Sequence, residues 1–80
     1  MEKINTEIFL KVVELGSFRK AADELNYTQA GVSYAVNAME DALGMKLFVR
    51  EYGGVRLTSD GEAVLPAVKE INSSERRLME

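Results

Sequence analysis

From Ile4 to Leu15 the apolar residues Ile4, Ile8, Val12 and Leu15 return to one helical face, with Phe9 and Val13 beside them, and Gly16 supplies a stop. This spacing predicts a first helix over 4–15. Ser17 is placed to cap a second, short helix from Phe18 to Leu25, whose buried stripe would be Phe18, Ala21, Ala22 and Leu25. Asn26-Tyr27-Thr28 is too short for more than a tight corner, and Asn26 tolerates a left-handed backbone. Thr28 can cap a third helix from Gln29 to Leu43, with Val32, Ala35, Val36, Met39 and Leu43 inward and Gly44 at its end. At 100° per residue, Gln29, Ala30, Ser33, Tyr34 and Asn37 fall on the opposite side. That face carries no formal charge.

After Gly44 the period shortens, and Lys46 to Arg50 and Val55 to Leu57 read as two strands around a Tyr52-Gly53-Gly54 turn. Thr58 can cap a last helix from about Ser59, in which Val64, Val68, Ile71 and Leu78 keep roughly coiled-coil spacing while Leu65 and Met79 widen the stripe. Pro66, lacking the N–H that would reach the Glu62 carbonyl, is expected to bend it. The order is that of a mainly α winged helix-turn-helix: a three-helix core, a two-stranded β-hairpin wing and a C-terminal linker helix. Residues 1–58 would form the domain and residues 59–80 a linker and dimerisation helix.

Composition narrows the chemistry. Eighty residues make one domain, and at this size only about 60% of the unfolded surface is buried, so a partner chain would matter. The absence of cysteine and histidine removes disulfides, thiolate and imidazole metal sites and imidazole-activated nucleophiles together. No catalytic residue, metal or cofactor is expected. The apolar runs fall far short of the roughly 20 residues that span a bilayer, so a soluble, cytoplasmic protein without membrane contact is expected. The net charge of −3 has the wrong sign for a generic polyanion binder, but residues 17–58 balance five basic side chains against five acidic ones. A nucleic-acid surface would have to lie in that central stretch.

Phe9, Gly16-Ser17-Phe18, Ala21-Ala22, Leu25, Thr28-Gln29, Val32-Ser33, Met39-Glu40, Leu43-Gly44, Leu47-Phe48, Arg50, Leu57-Thr58 and Gly61-Glu62 carry a resemblance along nearly the whole chain. In these residues it resembles the N-terminal DNA-binding domain of LysR-type transcriptional regulators. The resemblance implies a sequence-specific DNA-binding homodimer whose last helix leads to a larger effector-binding domain, through which any small-molecule effector would act. This chain ends in the charged stretch 75–80 with no helix stop, so it is expected to be an excised or truncated segment, a naturally short protein being the alternative. Three positions depart from the family pattern: Ala30 stands where proline often opens the recognition helix, Tyr34 where arginine is common, and Asn37 where a basic residue is frequent. Gly31 inside the helix costs roughly 1 kcal/mol relative to alanine.

The base-reading set expected from this resemblance and from hydrogen-bonding chemistry is Gln29, Ala30, Ser33, Tyr34 and Asn37. Gln and Asn can pair with the adenine N6/N7 edge, and a small Ser permits close approach. Tyr34 has the alternative of a sugar or phosphate contact. Phosphate contacts are expected from Arg19 and Lys20, from Thr28 with the amides that open the third helix, and from Arg50 and Arg56 on the wing. Five neutralised phosphates would give a salt slope of about −4.5 per protomer. Val68, Ile71 and Leu78 are the candidates for dimer contact, interrupted by residues 72–75. Glu40 and Asp41 read as structural rather than as a catalytic or metal-binding pair, because adjacent helical positions diverge by 100°. The alternative function is a winged-helix scaffold for protein interaction or dimerisation, without specific DNA binding.

Overall fold

The computed structural model describes residues 4–79, in the order α1 (Thr6–Leu15), α2 (Phe18–Leu25), α3 (Gln29–Leu43), β1 (Phe48–Glu51), β2 (Gly54–Leu57) and α4 (Ser59–Met79). The first helix starts two residues later than its apolar period predicts, because the Asn5 side chain accepts from the Ile8 N–H at 3.0 Å and acts as the N-cap. The second and third helices have the predicted bounds. Ser17 accepts from the Lys20 N–H at 3.1 Å, and Asn26 closes α2 at φ 62°, the one residue other than glycine with positive φ among those described.

Apolar faces of α1, α2 and α3 meet the base of the wing in one core. Phe9, Val12, Ala21, Val32 and Leu47 are fully buried, with Ile8, Phe18, Ala22, Val36, Met39 and Phe48 around them. Phe48 joins wing to helices: its ring lies 5.3 Å from that of Phe9 and 5.9 Å, edge-on, from that of Phe18.

The wing corrects the predicted strand bounds. The two antiparallel strands pair Phe48 with Leu57 and Glu51 with Gly54, so β1 begins at Phe48 rather than Lys46 and β2 begins one residue before Val55. Groups at 46–47 are engaged elsewhere. The Leu47 N–H donates to Glu40 Oε2 at 2.7 Å, the Leu47 carbonyl accepts from Thr58 N–H at 2.9 Å, and the Lys46 carbonyl accepts from the Thr58 hydroxyl at 2.6 Å. At the other end of the wing, Val55 N–H donates to the Gly16 carbonyl at 3.0 Å, and a Cβ on Gly54 would collide with that same oxygen. The wing is thereby fastened to the α1–α2 corner.

Thr58 opens α4 by accepting from the Gly61 N–H at 2.9 Å, and the helix continues through Pro66. It packs along α1. Near its far end Asn72 donates to the Thr6 hydroxyl at 3.0 Å, and that hydroxyl donates to Glu75 Oε1 at 2.8 Å, with Thr6 itself buried. Val68, expected at a dimer seam, is only 4% exposed and belongs to the core of its own subunit. Helical spacing alone could not say which neighbour covers it. Ile71 at 43% and Leu78 at 84% exposure face outward.

Candidate nucleic-acid interface

Local hydrogen bonds set the direction of α3. The left-handed Asn26 turns the chain, Tyr27 N–H donates back to the Ala22 carbonyl at 2.9 Å, and Thr28 Oγ1 accepts from Gly31 N–H at 2.9 Å. The Thr28 carbonyl takes Val32 N–H, while the Gln29 and Ala30 amides, in the first turn, have no partner within the helix. With the positive end of the helix dipole behind them, these amides offer an anion contact beside Thr28. On the opposite side of α3, Val32, Val36 and Met39 are buried, which fixes the outward face.

On that face Gln29, Ala30 and Asn37 are exposed, Tyr34 is 76% exposed, and Ser33 is half-buried. Arg50 reaches the Ser33 hydroxyl from the wing, and the other four side chains are open to solvent. The face has two flanks of different chemistry. Towards the wing, Ser17, Arg19, Gln29, Arg50 and Glu51 line a shallow cleft of about 240 Å³. Towards α1, Tyr27, Gly31, Tyr34 and Ala38 line a second cleft of about 340 Å³ with Asn5 and Ile8.

Arg50 is held in place before any ligand arrives. Its guanidinium carbon lies 4.4 Å from the centroid of the Phe18 ring, and Nη2 is 3.5 Å from Ser33 Oγ, at the long limit of a hydrogen bond. Arg19 and Lys20 are exposed in the first turn of α2. Arg56 differs from them, because its Nε donates to the Glu51 carboxylate across the hairpin. Of the predicted phosphate contacts, the structure thus gathers Arg19 and Arg50 around Gln29 and Ser33, sets Thr28 at the helix opening, keeps Lys20 exposed on α2, and pairs Arg56 with an acid of the same wing.

Two features escaped the sequence reading. Glu40, only 7% exposed, accepts from Leu47 N–H and, at 3.4 Å, from Phe48 N–H, while Lys46 lies 3.7 Å from its other oxygen. Glu40, read from the sequence only as structural, is turned inward and joins α3 to the root of the wing; a buried carboxylate is retained where backbone donors satisfy it. Asp41 stays exposed, one turn beyond Asn37 on the outward side. The other feature is Tyr27, 45% exposed beside Tyr34, whose place at the corner carried no chemical signal in the sequence.

Three helices, a corner of three residues and a hairpin wing flanking an open α3 define a winged helix-turn-helix domain. The family described as bacterial regulatory helix-turn-helix protein, lysR family, matches residues 5–62, and the chain belongs to it. Over 66 residues it is 41% identical to an uncharacterized HTH-type transcriptional regulator, YvbU, of Bacillus subtilis (strain 168), covering 81% of this chain and 23% of that protein. It is 38% identical, again over 66 residues, to the HTH-type transcriptional regulator HdfR of Escherichia coli, covering 82% and 24%. The chain therefore spans about a quarter of the length of these relatives. Among solved structures, the DNA complex of the CbnR DNA-binding domain superposes with a TM-score of 0.88 at 31% identity, covering 96% of this chain and 88% of that one. The complex of the BenM DNA-binding domain with catB site 1 DNA gives 0.87 at 30%, covering 99% and 88%. Among the described residues no helix is long and apolar enough to cross a membrane.

Proposed function

We propose that this chain binds duplex DNA with sequence preference as the DNA-binding part of a cytoplasmic transcription regulator, that it performs no catalysis, and that effector sensing belongs to a further domain. The N-terminal half of α3 enters the major groove, where Gln29, Ala30, Ser33, Tyr34 and Asn37 meet base edges. Arg19, Lys20, Thr28 and Arg50 meet the flanking phosphates. Residues 59–80 serve as linker and dimerisation helix, with Ile71 and Leu78 as contacts, so that two α3 helices address successive grooves of an imperfect palindrome. The observation that carries this reading is the open face of α3 between the exposed Arg19 and the pre-positioned Arg50. The DNA complexes of the CbnR and BenM domains support it by analogy of fold.

The rival reading, an interaction scaffold, draws on the −3 net charge and on an α3 without lysine or arginine. Salt separates the two. With Arg56 engaged by Glu51, three to four phosphate contacts remain per protomer, for a slope of log K against log salt of about −3. Duplex binding with that slope supports the regulator; binding that is absent at 50 mM salt, or flat in salt, supports the scaffold.

A further inference from the structure

The two flanks of α3 differ in chemistry, and the difference bears on which base pairs the helix favours. The wing flank carries hydrogen-bonding and cationic groups: Gln29, Ser33, Arg19 and Arg50. On the α1 flank, Tyr34 projects at 76% exposure beside Tyr27, over a cleft floored by Ile8, Ala35 and Ala38. Ala30 stands one turn before Tyr34, also exposed, so a methyl and an aromatic ring follow each other along the outward ridge.

In the major groove, guanine is read most often by Arg or Lys, adenine by Asn or Gln, and thymine by apolar contact with its 5-methyl group. The segment 29–43 contains no Arg or Lys, offers Gln29 and Asn37, and adds the Ala30–Tyr34 edge. We propose that Tyr34, with Ala30, is a specificity-determining contact for thymine methyl groups, so that α3 reads A·T pairs through Gln29 and Asn37 on the purine side and Tyr34 on the pyrimidine side. The inference rests on the insertion of α3 described above. Tyr34 is exposed beside the open cleft towards Tyr27, so its ring can lie against a methyl group without displacing any part of the described subunit.

The test is a duplex chosen by selection from a random pool with this chain, in which each thymine is replaced singly by deoxyuridine, removing the 5-methyl and nothing else. Burial of one methyl corresponds to about a fourfold change in affinity. The expected result is a loss of about that size at one or two positions for the unaltered chain, little change at those positions for Tyr34→Ala, and the full loss retained in Tyr34→Phe. Tyr34 is largely exposed, so both variants keep the fold. Three results overturn the inference alone: sequence-selective binding indifferent to every methyl, an equal methyl effect in the unaltered chain and Tyr34→Ala, or a Tyr34→Phe variant that behaves as the alanine variant does. Failure to select any preferred duplex overturns it together with the proposed function.

Discussion

Replacing Glu40 by alanine should destabilise the domain by about 3 kcal/mol, although nothing about an acid on an α-helix advertises such a role. Its Oε2 accepts from Leu47 N–H at 2.7 Å in a place where Leu47 itself is fully buried. A hydrogen bond to a charged group is worth roughly 1.5–3 kcal/mol, and the abandoned amide adds part of its own desolvation cost. The bond to Phe48 N–H is longer, at 3.4 Å, and adds less. Lys46 contributes little: it is 81% exposed and 3.7 Å away, so the ion pair is worth about 0–1 kcal/mol. For a domain of this size a 3 kcal/mol loss lowers the melting temperature by about 12–24 °C. Thermal and urea unfolding followed by circular dichroism measure it. Glu40→Gln, which keeps one acceptor oxygen, should lose about half as much, and Lys46→Ala less than about 1 kcal/mol. A Glu40→Ala domain within about 0.5 kcal/mol of the unaltered one, or a Lys46→Ala loss equal to it, would refute the claim that the carboxylate fastens wing to α3.

Other substitutions probe separate joints. Gly61→Ala would drive a methyl into the Leu47 backbone carbonyl and Leu57, and because backbone cannot step aside the expected loss is about 1–3 kcal/mol in urea unfolding; a neutral result would mean that α4 can slide on the wing. Thr6→Val removes the hydroxyl shared by Asn72 and Glu75, and should expose the last turns of α4 to faster amide exchange while α3 is unaffected; equal exchange in both proteins would deny that this contact holds the end of the helix. Glu51→Gln releases Arg56 from its ion pair, and the salt slope of DNA binding should steepen by about 0.9; an unchanged slope would place Arg56 outside the phosphate contacts.

How far the sequence could be read depended on how local each signal was. Ser17, Asn26, Thr28 and Gly44 act within four residues of themselves, so α2 and α3 could be bounded from the local sequence alone. Asn5 acts just as locally, yet the apolar Ile4 continued the period and drew the predicted start past it. Lys46 and Leu47 look like strand, but their backbone groups are engaged by Glu40 and Thr58, partners seven and more residues distant that no window of alternation contains. Val68 shows the same limit on a helix: the stripe marks it as buried without naming the surface that buries it. At the interface, the outward set on α3 followed from helical geometry. The resting place of Arg50 over Phe18 and the Glu51–Arg56 pair did not, since both are contacts across elements.

Sequence preference requires the outward face of α3 to meet base pairs, and selection from a random duplex pool, run in parallel on the unaltered chain and on Gln29→Ala and Asn37→Ala variants, addresses that face directly. The expected outcome is a preferred half-site for the unaltered chain and a relaxed preference, at different positions, for each variant, with a loss of about 1–3 kcal/mol per bidentate contact. Variants that select the same site with the same affinity would contradict it.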